Sequence, residues 1–155
     1  GYLPLAVTLA SEEIFEGFLS KDRSETFFHG HSFTGNALSC AVALESLALF
    51  DENNCLNRIS QLEMLFKTRL DSIANLSQVK ETRGIGALAV IELQPREKGG
   101  YFDTSGAQLT EAFLQRDILL RPLGNVLYFL PPYVITDQEV NRVFDTIEEV
   151  LDSEI

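Results

Sequence analysis

The sequence predicts an α+β (α/β) fold, a small sheet covered by helices on one side. Two observations carry this expectation. From Leu56 to Ile73 the apolar residues step by three and four, the period of a helix, and after Ser77 that period gives way to short β-rich runs. Two Ser/Thr-x-x-Gln/Glu capping patterns, at Ser105 and Thr136, then open further helices between and after the strands. From Asn53 onward the predicted order is helix, two strands, helix, two strands, helix.

Each element has its local cause. Gly1 to Ala10 has no initiator Met and reads as a loop leading into a buried strand, as expected of a processed or engineered terminus or of a piece of a longer protein. Ser11 can cap a short helix to about Glu16, with Glu12 and Glu13 in the turn where the helix dipole favours negative charge. Lys21 to Thr26 is a polar connector. Ala37 to Phe50 is apolar nearly all round, so this helix is expected to be buried on most faces. Asp51-Glu52-Asn53-Asn54 interrupts the apolar run and can cap the next helix. A domain boundary is placed there, dividing residues 1–51 from 52–155. Val79 to Thr82 and Ile85 to Leu93 read as strands separated by Arg83-Gly84, and Gln94 to Gly100 as a loop. The Ser105 helix turns Leu109, Ala112 and Phe113 inward. A hairpin over Ile118 to Leu130 is expected about Gly124-Asn125, stopped by Pro131-Pro132 because proline donates nothing to a ladder. The last helix carries Val140, Val143, Phe144, Ile147, Val150 and Leu151 on one face.

Composition narrows the function. At 155 residues the chain can bury roughly 70% of the surface its unfolded form exposes, enough for a real core. A formal net charge of -11 with only 12 Lys and Arg argues against nucleic acid. No apolar run approaches the ~20 residues of a membrane span. Cys40 and Cys55 have no disulfide or metal spacing and read as reduced helix or core cysteines of a cytoplasmic protein.

Two segments carry chemistry. His29-Gly30-His31-Ser32-Phe33-Thr34-Gly35-Asn36 is a small, hydroxyl-bearing loop opening onto an apolar helix, an arrangement that suits phosphate. Ser32 could instead merely cap the helix, and His29 reads as a hydrogen-bonded loop histidine. Arg121-Pro122-Leu123-Gly124-Asn125-Val126-Leu127-Tyr128-Phe129-Leu130-Pro131-Pro132-Tyr133 fixes a planar, five-donor guanidinium on a stiff turn, which suits a carboxylate; a structural arginine paired with a neighbouring acid is the plainer alternative. Tyr128 can be core or a substrate neighbour, and Tyr133 can simply pack near the turn.

Over essentially the whole chain these segments resemble the C-terminal part of class III aminotransferases, pyridoxal-phosphate enzymes of fold type I. The Arg-Pro start and the position of Tyr128 point, within that class, toward the branch acting in biotin synthesis. Gly1-Tyr2-Leu3-Pro4-Leu5-Ala6 looks like the segment following the family's Schiff-base lysine. The 29–38 stretch resembles its phosphate loop, with His31 and Ala37 where proline is often found.

The resemblance implies pyridoxal 5'-phosphate as cofactor, with His31 (through its backbone) and Ser32 holding the cofactor phosphate of a neighbouring subunit in a homodimer. It implies Gly30, Arg121 and Tyr128 at the substrate, Arg121 pairing with its carboxylate. The implied reaction moves an amino group from S-adenosylmethionine to 8-amino-7-oxononanoate, giving 7,8-diaminononanoate. Transamination also needs a lysine and an acid on the pyridine nitrogen. The resemblance places both upstream of Gly1, because Lys21, Lys67, Lys80 and Lys98 do not match the family's lysine context. The chain is then expected to be a C-terminal fragment, inactive alone, with residues 1–51 closing the large cofactor domain and 52–155 forming the small C-terminal domain. The rivals are a class III enzyme acting on an ω-amino acid or diamine, and a non-catalytic α+β dimerisation module.

Overall fold

The computed structural model describes residues 2–95, 103 and 105–154. The chain divides into two compact units, Gly1–Asn53 and Asn54–Ile155.

The first unit holds helices α1 (Glu12–Glu16) and α2 (Ala37–Glu52), with a 3-10 turn at Arg23–Glu25 between them. Ser11 caps α1 as expected, its Oγ accepting from the Ile14 amide at 3.4 Å. Asp22 caps the 3-10 turn in the same way, and the Ser24 amide holds its carboxyl below the usual aspartate range, helped by the Ser24 hydroxyl. Asn36 caps α2 by accepting from Ser39 N at 3.0 Å. Two expectations are corrected here. Residues 3–10 are exposed and pair with no strand among the described residues. No residue of α2 is buried, Leu38, Leu44 and Leu47 included, because an all-apolar helix needs neighbours on every side and none within this unit encloses it.

The second unit contains the core. Helix α3 (Cys55–Ile73) buries Leu62, Phe66, Leu70 and Ile73 along one stripe. Leu56 stays exposed and Asn54, at φ 47°, makes no side-chain cap, so the predicted Asp51–Asn54 cap is not formed. Strands β1 (Val79–Ile85) and β2 (Leu88–Leu93) pair antiparallel, and β2 pairs antiparallel with β3 (Val126–Phe129), giving the order β1-β2-β3. The β1–β2 turn falls at Gly86, φ 54°, two residues beyond the predicted Arg83-Gly84. Gly84 lies inside β1, where a Cβ would sit 3.0 Å from Leu88 O, so its smallness serves close packing and Gly86 supplies the left-handed turn.

Helices α4 (Ser105–Leu114) and α5 (Asp137–Glu154) complete the unit. Alternate residues Ala89, Ile91, Leu93, Leu127 and Phe129 are buried, while Leu88, Val90, Glu92, Val126 and Tyr128 are half-buried on the other face. Phe66 stacks on Phe129 with centroids 5.3 Å apart and meets Phe144 of α5 edge-on at 5.4 Å, tying helices to sheet. Arg69 lies over the Phe144 ring and bridges to Asp145 and Glu148.

The capping box of α5 forms as predicted: Glu139 N donates to Thr136 Oγ1 at 3.2 Å and Thr136 N to Glu139 Oε2 at 2.8 Å. At α4 the pattern differs. Ser105 is the first helical residue, its amide and hydroxyl both donating to Asp103 Oδ1, because the carboxylate two residues earlier is the stronger acceptor. The expected Ile118–Leu120 strand alternates in burial, with Ile118 and Leu120 buried and Leu119 exposed, but joins no ladder among the described residues. Pro122 has no N–H to donate, and pairing across the turn is limited to the Leu123–Val126 bridge. The predicted loop is seen at Gln94 and Pro95; its remainder, Lys98 included, lies outside the described residues, as does Gly1.

Candidate functional site

In the first unit, the loop that leads into α2 is shaped by its own small side chains. Thr34 N donates to His31 O at 3.0 Å, His31 N donates to Thr34 Oγ1 at 3.3 Å, and Asn36 N donates to Phe33 O at 3.1 Å. Gly30, His31 and Ser32 are exposed on this turn. Since Asn36 fills the cap position, Ser32 is free of that duty. Among the described residues neither its hydroxyl nor the Ser32 and Phe33 amides have a protein partner. His29 N donates to Phe27 O at 3.0 Å and its ring packs on Phe27 at 5.5 Å, a structural placement. Residues 29–36 include no carboxylate, so the donors of this loop face no competing anion of their own. A free hydroxyl and free amides leading into a 16-residue helix fit a phosphate group.

In the second unit, the chain leaves α4 through Asp117, whose φ of 60° ends the helix while Ile118 N donates to Phe113 O at 3.0 Å. Residues 118–120 then lead to Arg121, and the chain reverses at Leu123–Val126. Gly124 at φ 61° allows the reversal, with Leu123 N donating to Val126 O at 2.8 Å and Val126 N to Leu123 O at 3.1 Å. Buried Asn125 fastens the turn to the end of β2. Its side-chain amide donates to Leu93 O at 2.8 Å, and Leu93 N donates to Asn125 O at 2.9 Å. The sequence marked Asn125 only as a turn former; its burial between strand ends left no periodic signal.

Arg121 is exposed at the junction of two clefts. The larger, about 870 Å³, is walled by Ile118, Leu120, Phe129, Leu130, Pro131 and Val143 among others, and Tyr128 lines it too. Arg121 and Tyr128 therefore belong to one apolar cleft. Tyr128 is half-buried on the sheet face away from the core, and its hydroxyl has no protein partner among the described residues. Arg121 makes no ion pair among the described residues. Two acids line the cleft, Asp117 and Glu139; Glu139 is engaged by the Thr136 amide and hydroxyl, which hold its carboxyl below the usual glutamate range. Arg142 also lines the cleft and donates to Arg116 O at 3.3 Å; sequence reasoning had not singled it out, since on α5 it reads as a solvated charge. Tyr133 is exposed beside the turn.

Neither cysteine is buried, and no group of three or more His, Cys, Asp or Glu able to hold a metal occurs among the described residues. No described helix is long and apolar enough to cross a membrane. Lys80 pairs with Glu92 at 2.7 Å across β1 and β2, and Lys67 stands exposed on α3, so neither has the surroundings of a reacting amine.

The chain belongs to the class-III aminotransferase family, whose pattern matches residues 1–151. It is similar to the adenosylmethionine-8-amino-7-oxononanoate aminotransferase of Synechococcus elongatus, 40% identical over 152 residues, covering 98% of this chain and 35% of that protein. The enzyme of the same name from Aquifex aeolicus is 39% identical over 153 residues, 96% of this chain and 34% of that protein. Among solved structures, that of the Methanocaldococcus jannaschii enzyme of this name superposes with a TM-score of 0.87 at 35% identity, over 98% of this chain and 36% of that one. The fold is thus that of a portion of a fold type I transferase, and the chain spans about a third of the length of the relatives it matches.

Proposed function

We propose that this chain is part of a pyridoxal-phosphate aminotransferase that moves an amino group from S-adenosylmethionine to 8-amino-7-oxononanoate, giving 7,8-diaminononanoate for biotin synthesis. The single observation that carries the reading within the family is Arg121, a guanidinium without an ion pair among the described residues, mounted on a fastened turn at the mouth of an apolar cleft. A medium-length acceptor with a terminal carboxylate needs both features, a planar fork for its charged end and an apolar wall for its chain. The names of the relatives agree with this chemistry.

When bound, pyridoxal phosphate supplies the electron sink that transamination requires. The residues of this chain hold and orient. The Ser32 hydroxyl and the amides around it, with His31 contributing backbone, receive the cofactor phosphate at the start of α2. Gly30 leaves the main chain open to close approach by substrate. Arg121 orients the acceptor through its carboxylate, and Tyr128 offers a free phenol along the same cleft. The reacting lysine and the acid for the pyridine nitrogen come, in this reading, from the two thirds of the relatives' length that this chain does not span. The 155 residues alone are therefore inactive. The same reading makes residues 1–51 the close of the cofactor domain and 52–155 the small domain of a cytoplasmic homodimer, the phosphate loop serving the neighbouring subunit.

The test is substrate choice by the enzyme that carries this chain. Formation of 7,8-diaminononanoate, dependent on S-adenosylmethionine, is expected. Turnover of ω-amino acids or diamines with none of this pair would assign it to another branch of the family.

A further inference from the structure

The smaller cleft beside Arg121, about 390 Å³, has Gly106 and Thr110 of α4 among its walls, with Pro122, Leu123 and Gly124. Here the helix meets backbone. A Cβ on Gly106 would stand 3.2 Å from Gly124 O, 3.6 Å from Pro122 O and 3.7 Å from Gly124 N. The first of these distances is tighter than ordinary side-chain contact, and main-chain atoms of a tight turn cannot swing aside as a flexible side chain does.

The two bodies in contact are both fixed. α4 is anchored by buried Leu109 and Phe113, and the turn is fastened to β2 through Asn125. Pro122 is buried and bonded directly to Arg121, so any displacement of the turn moves the guanidinium with it. We propose that Gly106 is a positioning residue for Arg121: its missing side chain lets the turn seat against α4 and sets how far the fork reaches toward the acceptor's carboxylate. The inference rests on the reading of Arg121 as the carboxylate anchor. It adds a residue that touches neither cofactor nor substrate.

The experiment compares wild type, Gly106→Ala, Gly106→Val, Arg121→Ala and the Gly106→Ala/Arg121→Ala double variant in the enzyme that carries this chain, following each half-reaction by single turnover. A misplacement of 1 Å can cost about 10²-fold, so the few tenths of an ångström forced by alanine should raise the apparent acceptor constant roughly threefold, and valine more. The half-reaction with S-adenosylmethionine should stay near wild type. Alanine is the better helix former, so Tm should not fall on propensity grounds. In the Arg121→Ala background, Gly106→Ala should have no further effect on the acceptor, the non-additivity expected of residues acting through one another.

Equal losses in both half-reactions for Gly106→Ala, or additivity in the double variant, would overturn the positioning role while leaving Arg121 as the anchor. An Arg121→Ala enzyme whose acceptor half-reaction is spared would instead overturn the anchor reading. Should the Gly106 variants fail to fold, Gly124→Ala disturbs the same turn from its other side. An acceptor-selective rise is expected there as well, and equal loss in both halves would count against the proposal.

Discussion

At Ser32 a hydroxyl is left free because another residue takes the capping role that was the alternative reading for it. Asn36, four positions later, supplies the side-chain oxygen that caps α2, so the hydroxyl and nearby amides can meet an outside anion. Replacing Ser32 by alanine in the enzyme that carries this chain should weaken pyridoxal-phosphate binding by roughly 1–3 kcal/mol, the range for a hydrogen bond to a charged group. Equilibrium dialysis of wild type and variant measures this, and unchanged affinity would leave Ser32 as a turn residue only. The site candidates were legible in the sequence because residue type and spacing announce their chemistry: a hydroxyl in a carboxylate-free loop, and a guanidinium followed at once by proline. Which of Ser32 and Asn36 caps the helix was not legible, since both are good caps and only the backbone decides. Tyr128 shows the same limit. Alternation tells which residues share a face of β3, but the packing of α3 and α5 decides which face is core.

For the elements, local rules succeeded where the deciding partner lay within a few residues. The Thr136–Glu139 box is such a case, and it has a pH signature. Glu139 titrates below its ordinary value, chiefly through the Thr136 amide and then the Thr136 hydroxyl. A lowered folded-state value means the box stabilises fully above the unfolded glutamate value, near pH 4.3, and is lost as pH falls through the folded one. Glu139→Gln should therefore lower Tm at neutral pH, with the difference from wild type shrinking below about pH 4. A difference constant from pH 7 to pH 3 would contradict this. The rules failed where a partner came from afar. Arg83-Gly84 has the composition of a turn, yet Gly84 pairs with Ala89 across β1 and β2, where a Cβ would crowd Leu88 and Leu70, and the chain turns at Gly86. At Phe66, which joins Phe129 and Phe144, truncation to alanine should cost about 3–5 kcal/mol in chemical denaturation, against under 1 for an exposed apolar residue such as Met64.

Across the whole chain, burial is unevenly shared. Every core residue lies between Leu62 and Leu151, whereas the described residues before Asn54 bury none. Limited proteolysis of the 155-residue chain should therefore cut first ahead of Asn54, and mass spectrometry would locate the sites; first cuts within α3 or β2 would contradict this distribution of stability. The small sheet with helices on one side was legible because its periods are strong. The exposure of α2 was not, because an all-apolar helix announces that it needs enclosure without naming what encloses it.

The central claim is that Arg121 reads the acceptor's carboxylate in an aminotransferase of the biotin pathway. Single-turnover kinetics of Arg121→Ala, taken separately for the two half-reactions, test it most directly. Removing a guanidinium from a closed carboxylate pair costs on the order of 2–5 kcal/mol, so the apparent constant for 8-amino-7-oxononanoate should rise by roughly one to three orders of magnitude. The half-reaction with S-adenosylmethionine should suffer much less, and Arg121→Lys should recover only part of the loss, because a point charge does not reproduce the planar fork. Equal loss in both half-reactions would contradict the account and reduce Arg121 to a support of its own turn.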